Sequence, residues 1–64
     1  MKVRDILSMI QKEGWFLAAT RGGHRQFKHN VKKGRVTVAG PSNVDVPIKT
    51  LTSIWKQAQL PEVD

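Results

Sequence analysis

The 64-residue sequence contains no cysteine, which excludes both a disulfide framework and a thiolate metal site. It has no apolar run close to the roughly 20 residues that cross a bilayer, and its N-terminus lacks the apolar segment of a signal peptide. A chain this short buries one thin core, which excludes a two-domain enzyme with a deep cleft. We therefore expect one cytoplasmic domain over residues 1–64, with a frayed tail at 61–64 and neither metal nor cofactor.

Acidic residues are also scarce, since 5 Asp and Glu stand against 11 Lys and Arg, for a net charge of +6. None of them lies between Glu13 and Asp45. That interval holds six cations, namely Arg21, Arg25, Lys28, Lys32, Lys33 and Arg35. Dispersed cations keep a small domain soluble, whereas this clustering indicates a surface for RNA or another polyanion.

Hydrophobic spacing predicts five elements. The first is a helix over about 3–13, whose apolar stripe consists of Val3, Ile6, Leu7 and Ile10 and which ends at Gly14. A β-hairpin with strands over residues 15–21 and 24–29 follows around Gly22-Gly23, and a third strand alternates over about 35–39. Pro47 begins a second helix over about 47–59. The predicted fold class is α+β, an α-β-β-β-α two-layer domain with both helices on one face of a three-stranded antiparallel sheet.

The register of the hairpin follows from a two-residue turn at Gly22-Gly23. The predicted core face carries Phe16, Ala18, Phe27, Val36 and Val38. The predicted open face is cationic and carries Arg21, His24, Gln26, Lys28, Arg35 and Thr37. Leu17 and Ala19 are apolar yet fall on that open face, so a longer loop that shifts the register by one residue and exchanges the faces is an alternative.

His24 is the candidate for acid/base chemistry. It follows two glycines at a hairpin tip, where a phosphate can approach the backbone closely. An imidazole exchanges protons near neutral pH and can take one from a ribose 2′-OH, while Arg21 or Lys28 would stabilise the charge of the transition state. A lone surface histidine is more often a bystander, and spacing by itself does not decide between the two.

His29 lies five residues further along the strand and therefore on the opposite face. The two histidines are not expected to act on one phosphate or to share a metal, and no third ligand is near in sequence. Trp15 and Trp55 are able to stack on bases, but their positions favour core packing.

Four segments together match a known family: Glu13-Gly14-Trp15 at the end of the first helix, then residues 21–29, 34–38 and 50–58. With them the chain resembles the HicA-type toxins, the YcfA-like family of small mRNA interferases. The resemblance implies a fold like that of a double-stranded-RNA-binding domain. It also implies a ribonuclease that cleaves mRNA without a metal and is neutralised by a HicB antitoxin, with His24 aligned with the catalytic histidine.

The first hypothesis is accordingly an endoribonuclease toxin with His24 as general acid or base. The residues expected to contact RNA are Arg21, Gly22, Gly23, Arg25, Gln26, Lys28, Lys32, Lys33 and Arg35. Gly23 stands where relatives usually carry Ser, so a weak or silent nuclease is one alternative. Others are a non-catalytic RNA-binding module of the same fold and a domain whose basic face meets only an acidic protein.

Overall fold

A computed structural model describes residues 1–60, so the tail expected at 61–64 lies outside the described residues. The elements are α1 (Val3–Lys12), β1 (Phe16–Arg21), β2 (His24–Lys28), β3 (Val36–Ala39) and α2 (Ile48–Ala58). The strands form one antiparallel sheet in the order β1-β2-β3. The predicted α-β-β-β-α order and the α+β fold class are confirmed. Within residues 1–60, no helix is long and apolar enough to cross a membrane.

Helix α1 buries the predicted stripe, since Val3, Ile6 and Ile10 are fully enclosed. The sequence shows no capping side chain at its start, and the structure supplies the reason. The N–H groups of Val3 and Arg4 donate to the carbonyls of Val44 and Ser42, each at 3.0 Å. The loop before α2 thus satisfies these two N–H groups with backbone carbonyls, and the Asp5 carboxylate accepts a hydrogen bond from the backbone N–H of Lys2 at 3.4 Å.

The core lies between the two helices and one face of the sheet. Its buried members are Val3, Ile6, Ile10, Trp15, Phe27, Val36, Val38, Ile54, Trp55 and Ala58. Both tryptophans belong to it, as predicted, and the indole Nε1 of Trp15 donates to the carbonyl of Ala58 at 3.1 Å. This hydrogen bond joins the residue that precedes β1 to the last residue of α2, 43 positions later in the sequence.

The predicted register of the hairpin is correct at its tip and wrong at its base. Arg21, Thr20 and Ala19 pair as expected with residues 24, 25 and 26, but a β-bulge at Ala18 then shifts the register. Leu17 therefore pairs with Phe27, and Phe16 pairs with Lys28. A bulge inserts one unpaired residue into a strand, so every side chain beyond it changes face.

Because of the bulge, two residues that were predicted to lie in the core are exposed instead. Phe16 is on the open face and 45% exposed, and Ala18 is also exposed, so neither belongs to the core. The helices pack mainly against β3 and leave β1 uncovered on both sides. Phe27, Val36 and Val38 are buried as predicted, and the alternative in which the faces of β2 and β3 are exchanged is excluded.

Candidate nucleic-acid interface

The open face, which is the face of the sheet that points away from the helices, is the candidate interface. Backbone pairing aligns His24 between Arg21 and Ala39, and Gln26 between Ala19 and Thr37. Side chains directly opposite in a ladder share a face, with Cβ atoms about 4.5–5.5 Å apart. The open face therefore groups the predicted polar side chains Arg21, His24, Gln26, Lys28 and Thr37.

His24 is the first residue of β2 and is exposed. The turn before it is possible because Gly22 has a φ of +56°, a left-handed conformation that favours glycine. A side chain built at Gly22 or at Gly23 would meet nothing within 4 Å, so the space beside the imidazole is open. The other neighbour of His24 in the ladder, Ala39, is small. A phosphate group can therefore approach the ring from the hairpin tip.

Arg21 is the charged group nearest to His24 in the ladder, since the two residues are directly opposite each other. Further along the face, the Arg35 guanidinium donates to Oε1 of Gln26 at 2.9 Å, which holds this cation over the sheet. Lys28 is exposed at the far end of β2. These cations form a line that starts beside His24 and follows β2 toward its end.

Arg25 lies on the opposite side of the hairpin. It pairs with Val38, is half-buried, and donates from Nη1 to the carbonyl of Gly40 at 3.2 Å. It borders a shallow depression of about 270 Å³ lined also by Thr20, Gly22, Gly23, Gly40 and Pro41. The glycine turn that lines this depression directly precedes His24. Arg25 follows His24 in sequence, but successive residues of a strand point to opposite faces, so Arg25 does not share the face of His24.

Lys32 and Lys33 follow the hairpin and are held against α2. The Lys32 ammonium is 3.5 Å from the carbonyl oxygen of Ala58 and 3.4 Å from that of Gln59. A cation at the C-terminus of a helix satisfies free carbonyls and interacts favourably with the helix dipole. Lys33 accepts a hydrogen bond through its carbonyl from Gln59, and its side chain is exposed. The ammonium of Lys33, unlike that of Lys32, has no hydrogen bond to another group of residues 1–60.

His29 has a structural environment that the sequence reasoning missed. Its Nδ1 accepts hydrogen bonds from the backbone N–H groups of Val31 and Lys32, both at 3.0 Å. An acceptor nitrogen carries no proton, so Nε2 of the neutral ring is the donor to the Glu13 carbonyl at 2.8 Å. The ring also stands edge-on to Trp15, with centroids 5.2 Å apart. His29 joins the end of α1 to the β2–β3 loop.

Gly14 offers the one signal in the sequence that could have revealed this contact. Its φ is +97°, and a Cβ atom at this position would lie 2.7 Å from Nε2 of His29. The glycine that ends α1 is therefore required twice, for its backbone conformation and for the close approach of the imidazole.

Within residues 1–60, no salt bridge neutralises the positive charge of the open face. In residues 1–60 one ion pair is present, between the N-terminal amine and Asp45 at 3.9 Å. The same stretch contains no group of three or more His, Asp or Glu side chains that could hold a metal ion. The arrangement provides an exposed imidazole, adjacent guanidinium and ammonium groups, and open space at a glycine turn.

These observations define the class of protein: a small basic domain with the α+β fold of double-stranded-RNA-binding domains and one open cationic sheet face. A family model described as HicA toxin of bacterial toxin-antitoxin matches residues 3–60. The chain therefore belongs to the HicA toxin family, whose members generally act as ribonucleases, and membership implies an antitoxin partner. No curated protein matches the chain.

Proposed function

We propose that the chain is a metal-independent endoribonuclease toxin that cleaves mRNA, with His24 as general acid or base. The observation that carries the proposal is the position of His24, an exposed imidazole on the open face beside an unobstructed glycine turn and opposite Arg21. A group that accepts a proton and a nearby cation are two of the requirements of phosphodiester transesterification that side chains can meet.

In this reaction His24 removes the proton from a ribose 2′-OH, and the 2′-oxygen attacks the adjacent phosphorus. The bond to the 5′-oxygen of the next nucleotide breaks, and a 2′,3′-cyclic phosphate remains. Arg21 stabilises the negative charge that develops on the phosphoryl oxygens. The group that protonates the leaving oxygen is not assigned to any residue.

RNA would follow the line of cations from Arg21 along β2 to Lys28 and Arg35, with Lys33 extending the track. Arg25 would contact RNA only if the strand passes over the glycine turn into the shallow depression behind it. Lys32 is already engaged by the end of α2, so we assign it a smaller share of the binding energy.

The partner in this proposal is a HicB-type antitoxin, and the compartment is the cytoplasm. An acidic antitoxin that covers the open face would block RNA from His24 and relieve the repulsion among the cations. Because it binds only the folded chain, it would also raise the apparent stability by mass action.

The test is to incubate the purified chain with RNA in EDTA and to determine the chemistry of the new ends. Cleavage with 2′,3′-cyclic phosphate termini is expected. Contaminating ribonucleases can produce the same ends, so His24→Ala purified in parallel is the control. Cleavage that needs added Mg²⁺, or equal cleavage by both preparations, would contradict the assignment.

A non-catalytic RNA-binding module is the second candidate, and one observation favours it. Among residues 1–60 no hydrogen bond holds the exposed His24 ring in a fixed orientation, and Gly23 provides no hydroxyl next to it. This candidate predicts salt-dependent RNA binding by the parent chain without any cleavage, and His24→Ala would bind equally well.

A further inference from the structure

Strand β1 is exposed along its whole length although four of its six residues are apolar. Phe16 is 45% exposed and Leu17 is 51% exposed. The strand lies at the edge of the sheet and pairs only with β2. Among residues 1–60, no backbone group outside β2 donates to or accepts from it. Its outer edge therefore presents free N–H and C=O groups that can pair with a further strand.

The opposite edge of the same sheet is β3, and a side chain of α2 contacts it. There the N–H of Thr37 in β3 donates to Oε1 of Gln57, a side chain of α2, at 3.0 Å. Helix α2 thus reaches the outer side of β3 at Thr37, whereas no such bond reaches the outer edge of β1 from residues 1–60. Among the usual devices that prevent edge pairing, β1 has only the bulge at Ala18, with no proline and a single charge at Arg21.

The two exposed side chains lie on opposite faces of β1. Leu17 pairs with the buried Phe27 and so borders the helix-covered face, whereas Phe16 pairs with Lys28 and borders the open face. A partner lying flat on one face would cover only one of them. A strand added along the edge has side chains on both faces and covers both. The distribution of apolar surface therefore favours strand addition over docking on a face.

Charge distinguishes the possible occupants of this edge. A second copy of the chain would bring another net charge of +6 against the first. An extended segment with acidic side chains is attracted instead, because Arg21 lies on β1 itself and Lys28 stands opposite Phe16. The chemistry of the edge therefore fits an acidic, partly apolar polypeptide strand.

We propose that an acidic strand of the antitoxin pairs with the free edge of β1 and extends the sheet to four strands. The inference rests on the proposed function only for the inhibitory role of that partner. From this edge the antitoxin continues onto the open face beside Arg21, which is how one interface both anchors the partner and reaches His24.

The test uses the full chain co-expressed with the protein encoded next to it, and measures backbone amide hydrogen exchange in the free and bound states. In the complex we expect amides of residues 16–21 to slow by roughly tenfold or more, because new inter-strand hydrogen bonds protect them. A complex that leaves exchange in β1 unchanged, or the absence of any complex, overturns the proposal. Concentration-dependent dimerisation of the free chain with protection of β1 would assign the edge to a second copy.

Substitutions at Leu17 test the apolar and charge components separately. Leu17→Glu and Leu17→Lys remove the same apolar contact, and both are expected to weaken the complex by about tenfold, with the loss larger for Glu because the partner strand is acidic. Ile48→Glu is the matched control, since Ile48 is an exposed apolar residue (76%) on α2. Parent affinity in both Leu17 variants would exclude edge docking.

RNA cleavage by the free Leu17 variants separates this inference from the proposed function. Leu17 is not part of the cationic track, so the free variants are expected to cleave RNA at the parent rate while escaping inhibition. If the Leu17 variants cleave RNA but are still inhibited by the antitoxin, docking at the edge of β1 is refuted and the proposed nuclease activity is not. If the parent chain binds the antitoxin and its β1 amides are protected but it cleaves no RNA, the proposed nuclease activity is refuted and docking at the edge of β1 is not.

Discussion

A histidine stands at each end of β2, since His24 begins the strand and His29 directly follows its last residue, and the surroundings of the two differ in almost every respect. At the hairpin tip His24 is exposed, and its neighbours are two glycines and an alanine. At the hairpin base His29 is half-buried, with hydrogen bonds from two backbone N–H groups and to one carbonyl. The comparison teaches that the fold uses His29 as a bridge and leaves the His24 ring exposed, and the proposed acid/base role of His24 rests on this difference.

His24→Ala gives the largest effect that this comparison predicts. General acid/base catalysis contributes about 10²- to 10⁴-fold, so we expect a loss of RNA cleavage of that size. The unfolding free energy measured in urea should stay within about 0.5 kcal/mol of the parent, as for most surface substitutions. A variant that loses activity because it unfolds would remove the distinction between the two histidines.

His29→Ala is expected to produce the reverse pattern. Loss of three hydrogen bonds, each worth about 0.5–1.5 kcal/mol, should reduce the unfolding free energy by about 1.5–4.5 kcal/mol. Cleavage per folded molecule, measured well below the transition midpoint, should remain near the parent value. If His29→Ala abolishes cleavage while unfolding as the parent does, both histidines act in the reaction.

Lys28→Glu sharpens the comparison between the open face and the rest of the surface. Removing one phosphate contact should reduce the slope of log affinity against log salt by about 0.7 for single-stranded RNA, for all sequences alike. Lys49→Glu makes the same change of charge on α2 and is the control, with an expected slope equal to that of the parent. Equal slopes for all three chains would show that RNA does not follow β2.

Gly23→Ser gives the smallest expected effect and tests the tip itself. Gly23 does not have the left-handed φ of Gly22, and a Cβ atom there meets nothing within 4 Å, so Ser should be accommodated without strain. A hydroxyl beside His24 that forms one hydrogen bond in the transition state would raise the cleavage rate by about 2- to 10-fold.

Two controls accompany Gly23→Ser. Gly22→Ser places the same hydroxyl at a φ of +56° and should cost about 1 kcal/mol of stability without a gain in rate. Gly23→Ala separates the hydroxyl from the added bulk. A rate increase in Gly23→Ala as large as that in Gly23→Ser would show that stiffening of the turn is responsible.

Most of the fold could be predicted from the sequence because its signals are local. The apolar stripe of α1, the glycine pair of the turn and the alternation of β3 are each contained in a short segment, and the observed elements begin and end within two residues of the predicted limits. The register at the hairpin tip was also predictable, because the turn sets it.

The bulge at Ala18 had no comparable signal. Alanine suits either side of a strand, and the apolar run from Phe16 to Ala19 fits both faces equally well. The shift places Leu17 rather than Ala18 opposite Phe27, a residue of the neighbouring strand. The bulge places Phe16 on the open face and Leu17 on the helix-covered face, and the proposed docking of the antitoxin depends on this distribution of apolar side chains.

By itself the sequence determined the α-β-β-β-α order, most of the core, and a cationic face with His24 at a glycine turn, since periodicity, turn chemistry and charge are properties of short segments. Only the tertiary structure decided the roles of His29, Arg25 and Lys32. Besides its local bonds to Val31 and Lys32, His29 bonds to Glu13, which is 16 residues away. Arg25 bonds to Gly40, 15 residues away, and Lys32 bonds to Ala58 and Gln59, 26 and 27 residues away. Hydrogen bonds of that range form only after the chain has folded, so no local pattern encodes them.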